Sequence, residues 1–233
     1  MSARRITKTT DDIWDQRTEI VFIVDRSGSM VGLESDTIGG FAATLATMKA
    51  DPGEARVTTV LFDHEYQLLH DRVDLAAVSP LTQQEYWARG STALLDAIGR
   101  TVDKIVSVQR SVLKRYRADK VVFVIITDGH ENASRQYTLA QVRDLVRRQQ
   151  ERYGWEFVFL GANIDAIDIA TSFGIRATHA TNYMPDHHGT DLAWGAAAQA
   201  VDHVRRAPAR AKQLLPRDWS AAVSADHARR STS

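Results

Sequence analysis

Three stretches of the chain are almost wholly apolar: the core of EIVFIV at 20–24, KVVFVIIT at 120–127 and WEFVFLG at 155–161. None alternates with polar residues. Continuous runs of this kind suit strands of a sheet covered on both faces, as in parallel α/β folds. RVTTVLFD at 56–63 and YQLLHDRVDL at 66–75 alternate more and read as a hairpin at a sheet edge, turning at Asp63–Glu65. Between the strands the apolar spacing changes to i, i+3, i+4. Ile38, Phe41, Ala42, Leu45 and Met48 keep it, as do Leu94, Ile98, Val102, Ile105 and Val112, and later Leu139, Val142, Leu145 and Val146. The DPG at 51–53 stops the first of these helices.

A short helix is expected within 163–175, ended by Gly174, then a last strand near Ile175–Thr178 and a final helix over 187–207. Gly39 and Gly40, inside the first helix, are expected to let it approach the sheet closely. The order β-α-β-β-α-β-α-β-α-β-α predicts a Rossmann-like, doubly wound α/β fold: a mostly parallel central sheet, one antiparallel edge strand, helices on both faces. The organisation read from the sequence is an N-terminal extension (1–17), one domain (18–207) and a flexible tail (208–233), in which Trp219 is the one hint of docking.

Composition narrows the function classes. The chain has 233 residues, with 29 Lys plus Arg against 29 Asp plus Glu, so the formal net charge is zero. A dedicated nucleic-acid binder usually carries a basic excess, so no nucleic acid is expected as partner. There is no cysteine, which excludes disulfides, Cys-ligated zinc and thiol catalysis. No apolar run is long enough to span a membrane, and the N-terminal MSARRITKTTDDIWDQRTE lacks the apolar core of a secretory signal. The expectation is a cytoplasmic protein.

The first apolar strand ends at Asp25, and Ser27 and Ser29 follow at alternate positions in DRSGS. In an open α/β sheet, ligands bind outside the carboxyl ends of the strands. Asp128 arrives at the same edge after KVVFVIIT, and Thr92 lies in a loop just before a helix, in RGSTALLDAIG. Asp25, Ser27, Ser29, Thr92 and Asp128 can thus converge from three loops. All five offer oxygen, the ligand set of a hard divalent cation: Mg²⁺ first, with Mn²⁺ or Ca²⁺ possible. With hydroxyls bound directly and the carboxylates acting through water, such an ion stays electrophilic and favours an anionic further ligand. The alternative is structural: the serines cap the following helix and Asp25 binds backbone amides.

Asp-x-Ser-x-Ser, then Thr, then Asp, in three loops of this strand and helix order, resembles the von Willebrand factor type A (vWA) domains with their metal-ion-dependent adhesion site. The resemblance covers roughly residues 18–180. It implies Mg²⁺ held by Asp25, Ser27, Ser29, Thr92 and Asp128, and an acidic residue of a partner protein as sixth coordinator. Thr92 is the residue it implies to move between direct and indirect coordination. SDTIGGF and STALLDAIG look like a group of stand-alone intracellular bacterial proteins, and by analogy a partner could be an AAA+ ATPase or another complex subunit.

Weaker signals surround this core. His130 and Glu131 could sit on the rim of the site, and Trp87 and Arg89 before Thr92 combine the aromatic and Arg side chains enriched at interfaces. A core role for Trp87 is an equal alternative. His187 and His188 suggest a second metal less well than a helix N-terminus capped by Asp186. Asn163 and Asp165 end another strand at the same edge and read as helix caps. The basic segment 110–120 reads as a solvated helix end. The rival class is an enzyme, a metal-dependent phosphoryl hydrolase or transferase with Asp25 as nucleophile. Against it, the chain has no phosphate-binding Gly-rich loop with Lys and no Gly-x-Ser-x-Gly elbow. A metal-independent scaffold is a third reading.

Overall fold

A computed structural model describes residues 16–208 and 215–231. The expected 1–17 extension lies almost wholly outside the described residues. Six strands form one sheet in the order β3-β2-β1-β4-β5-β6. The strands are β1 (Thr18–Asp25), β2 (Ala55–Phe62), β3 (Tyr66–Asp74), β4 (Lys120–Thr127), β5 (Glu156–Gly161) and β6 (Ala180–Asn182). All neighbours are parallel except the β2–β3 hairpin. The helices are α1 (Glu34–Ala50), α2 (Leu94–Ser111), α3 (Leu139–Tyr153), α4 (Ala166–Ser172), α5 (His187–Arg206) and α6 (Ala221–Arg230). None of the described helices is long and apolar enough to cross a membrane.

The apolar runs are continuous because each strand feeds two cores. Ile20, Phe22 and Val24 face α1 and α5, while Val21 and Ile23 face α2 and α3. Every residue of β1, β4 and β5 is buried. On the first face Phe22, Phe41 and Trp194 pack edge-on or tilted, with centroids 5.4–6.2 Å apart. That cluster joins the sheet to both helices.

Three expectations are corrected. The last strand is Ala180–Asn182, not 175–178. Ile175 instead closes the end of α4 through its N–H to the Ala170 carbonyl, and Ala177–His179 form a 3-10 turn. The tail is not loose over 215–231. Leu215, Trp219 and Val223 are buried in the same core as α5, and the indole N–H of Trp219, 2% exposed, donates to the Thr178 carbonyl at 2.9 Å. Gly40 brings α1 against α5 rather than against the sheet. A Cβ at Gly40 would fall 2.3–2.8 Å from side-chain atoms of Trp194, whereas one at Gly39 would meet nothing within 4 Å.

This contrast gives a paired test. Gly39→Ala stabilises by up to about 1 kcal/mol, because Ala is the better helix former. Gly40→Ala destabilises by about 1–3 kcal/mol, because overpacking against the indole outweighs the same propensity gain. Urea denaturation of the two variants measures both signs.

Candidate metal centre

The strand order reverses between β1 and β4, and the crevice of an open α/β sheet lies at that switch point. Asp25 is the last residue of β1, and Asp128 directly follows β4. The sequence therefore puts one carboxylate on each side of the crevice. Three loops meet there, tied by backbone bonds. Arg89 N–H donates to the Arg26 carbonyl at 2.8 Å and Gly28 N–H to that of Gly90 at 3.0 Å. Asn132 and Ala133 N–H groups both donate to the Thr92 carbonyl, and Thr92 N–H donates to Asn132 Oδ1 at 2.8 Å.

The three hydroxyls converge. From the point a Cβ of Gly129 would occupy, Ser29 Oγ is 2.9 Å away, Thr92 Oγ1 3.0 Å and Ser27 Oγ 3.6 Å. Gly129 thus leaves open the space that the hydroxyls surround. Ser27 Oγ and Ser29 Oγ are 3.0 Å apart. Neither serine caps the turn that follows: Ser27 opens the 3-10 turn Gly28–Met30 with no side-chain cap bond. The capping alternative therefore fails for the serines. It holds for Asp25, which accepts the Ser27 N–H at Oδ1 (2.6 Å) and the Thr127 hydroxyl at Oδ2 (2.5 Å). The Tyr86 hydroxyl donates to the Asp25 carbonyl at 2.5 Å from below. Thr127 escaped the sequence reading: it ends an apolar run, and nothing in its spacing marks it.

Asp128 differs. It is 2% exposed, and both carboxylate oxygens are buried without a hydrogen-bond partner. Burial pushes its pKa up. The nearby Ser29 hydroxyl opposes the shift without reaching hydrogen-bonding geometry. Burial likewise pushes Asp25 up to about 6, opposed by the Thr127 and Ser27 bonds. Among the described residues no Lys or Arg pairs with either carboxylate, and no cluster of three or more His, Cys, Asp or Glu is placed to hold a metal. Two carboxylates and three hydroxyls are the available donor set. The buried, unpartnered oxygens of Asp128, with three hydroxyls converging nearby and no Lys or Arg beside them, suit a hard divalent cation.

The family model for the von Willebrand factor type A domain matches residues 19–183. The chain belongs to that family. Domains of this kind often mediate protein–protein interaction or adhesion, are generally not enzymes, and often bind divalent metals at the edge described above. Similar solved structures share the fold at low identity. Proximal thread matrix protein 1 from the mussel byssus is 14% identical over 78% of this chain and 45% of its own, with a TM-score of 0.51. The PilB minor pilin from Streptococcus sanguinis, solved as a mutant, is 10% identical over 87% of this chain and 63% of its own, with a TM-score of 0.53. The vWF domain of the type V pili tip protein Mfa5 from Porphyromonas gingivalis is 11% identical over 81% and 96%, with a TM-score of 0.53. The chain thus spans less than half of the mussel protein. No curated protein matches it.

Around the vWA edge, the four rim residues separate. His130 and Trp87 are exposed and Arg89 is half-buried. Glu131 is not on the rim. Its carboxylate turns inward and accepts from the N–H groups of Leu95, Ala133 and Ser134 and from the Ser134 hydroxyl, at 2.7–3.0 Å. Those donors are the free amides of the start of α2 and of its own loop, and a carboxylate satisfies them better than solvent does. Asp96 on α2 reciprocates, accepting from the N–H groups of Arg135, Gln136 and Tyr137 at 2.8 Å. Asp186 and Asp165 are helix caps, on Gly189 and Asp168 N–H. His187 pairs with Asp36 at 2.6 Å, away from any carboxylate cluster that would make a second metal centre.

The raised Asp25 pKa sets a pH dependence in metal-free protein. The folded pKa lies above the unfolded one, so the contribution of Asp25 to stability is full below about pH 4 and is lost as pH rises through about 6. The loss is ~3 kcal/mol. In EDTA, denaturation midpoints of wild type and Asp25→Asn, measured from pH 4 to 7, diverge in that sense: the wild type loses stability relative to the variant as pH rises.

Proposed function

We propose that this vWA domain is a divalent-metal-dependent protein-binding module, with Mg²⁺ held by Asp25, Ser27, Ser29, Thr92 and Asp128 and with an acidic residue of a partner protein as the further ligand. The observation that carries this is Asp128: a carboxylate buried with both oxygens unpartnered, in a crevice where three hydroxyls from two other loops converge. Bound there, Mg²⁺ supplies an electrophilic position that prefers an oxygen anion. The chain's residues do the rest. Asp25 is fixed by Ser27 N–H and Thr127 Oγ1–H, so it is pre-positioned on β1. Thr92 is anchored through its backbone to Asn132 and Ala133, so the second and third loops move together. Gly129 keeps the space between the hydroxyls open.

No observation favours the phosphoryl hydrolase or transferase.

Calorimetric titration of Mg²⁺ and Mn²⁺ into chelated protein tests the proposal. Wild type binds, and Asp128→Ala loses binding by a factor of about 100 or more, as removal of one of two charged oxygen ligands requires. Acetate then raises the affinity of the wild type for the metal. Equal heats from wild type and Asp128→Ala sink the reading, and metal-dependent hydrolysis of a phosphate ester that disappears with Asp25→Asn moves the chain to the enzyme class.

A further inference from the structure

Large apolar side chains are buried almost throughout the described chain, and seven are exposed. Two of these seven fall on the loops that carry the site hydroxyls: Val31, 67% exposed and two residues after Ser29, and Trp87, 43% exposed and five before Thr92. They stand on different loops. The backbone bond from Gly28 N–H to Gly90 O holds those loops together.

Trp87 is not merely exposed. It is held. The guanidinium carbons of Arg26 and Arg89 lie 5.6 Å and 5.2 Å from its ring centroid. Both guanidinium groups donate from Nε to one oxygen of Asp63, at 2.9 Å and 2.8 Å. Arg26 is fully buried and its Nη1 reaches Gln67, while Arg89 Nη2 reaches Glu65 at 2.6 Å. The next residue towards the N-terminus, Tyr86, is the buried tyrosine whose hydroxyl donates to the Asp25 carbonyl. The indole is therefore fixed between a residue anchored under the site and two arginines anchored to the β2–β3 hairpin. A side chain ordered before binding loses little entropy when a partner covers it. Asp63 and Glu65 offset the two arginine charges, so what the ring offers a partner is mainly its apolar face.

We propose that Trp87 is the apolar anchor of the partner-binding surface, and that the partner segment carries an aliphatic or aromatic residue next to the Asp or Glu that reaches the metal. This rests on the metal-dependent reading above and adds the chemistry of the partner to it. Arg26, the residue between Asp25 and Ser27 in the motif, acts as a positioning residue for Trp87. Val31, exposed two residues after Ser29, is the second apolar side chain on these loops that a partner can reach.

The test uses two capped dipeptides, acetyl-Glu-Leu-amide and acetyl-Glu-Ser-amide, titrated into the full chain at saturating Mg²⁺ and followed by NMR. The expected result is a preference for the Leu peptide of about tenfold, the effect of one well-placed apolar contact. Trp87→Ala abolishes that preference and leaves Mn²⁺ affinity and binding of the Ser peptide unchanged, a control that also reports folding. Trp87→Phe retains most of the preference, and Val31→Ser reduces it. Metal-dependent binding of both peptides with equal affinity overturns the anchor while leaving the metal site intact. Failure of both peptides to bind with Mg²⁺ present removes anchor and metal-dependent reading together. Trp87-dependent binding of oligothymidylate that persists in EDTA, with no Leu preference, overturns the proposal in favour of a nucleic-acid partner.

Discussion

Two like charges buried side by side dominate this molecule. Asp25 and Asp128 end adjacent central strands, one wholly buried and one nearly so, and no Lys or Arg among the described residues pairs with either. Isolated, such a pair is costly: burial raises the pKa of each, and the Asp128 charge adds a little to the rise at Asp25. The fold tolerates it because the two carboxylates are treated differently. Asp25 is satisfied by one backbone amide and one threonine hydroxyl. Asp128 has no such partner, so one end of the crevice is satisfied from within the chain and the other is not.

Keeping three loops in register around that crevice takes more than the five oxygen residues. The Glu131–Asp96 exchange joins the loop after β4 to the first turn of α2, each carboxylate answering the free amides of the other segment. Since Thr92 lies just before that turn and Asp128 just before that loop, the exchange fixes the distance between the second and third loops. The Asp63 pair of arginines does the same for the first and second. The crevice is thus shaped by carboxylates that never face it.

Much of this was legible in the chain. β1, β4 and β5 are buried on both faces, so their composition alone declared them. The five oxygen residues were readable because alternate spacing after a strand end is rare by accident and the later Thr and Asp fell in the matching loops. Other parts were not. β6 has three residues and its apolar content is one alanine, which no periodicity can reveal. The docked C-terminal segment buries Leu215, Trp219 and Val223 at four-residue spacing, but Ala, Ser and Arg between them dilute the pattern below detection. Glu131 read as a rim residue because nothing local shows that one of its donors, the Leu95 N–H, lies on another element, 36 residues away in sequence. Gly40 announced a close approach, but the surface it meets is Trp194 of α5 and not the sheet, which nothing in the glycine itself could name.

The margins of the sheet complete the picture. At one side β3 is irregular: its pairing with β2 slips twice, Arg72 takes a left-handed backbone conformation, and Asp71 and Arg72 put charge on the strand. At the other side the three residues of β6 lie against the C-terminal segment, with Thr181 and Ser224 hydroxyls 3.0 Å apart. Long, flat, open strand edges invite other chains to pair with them indiscriminately. Irregular pairing and charge at one margin and a covering segment at the other remove that route to aggregation, so neither edge of the sheet offers a long flat strand for another chain to extend.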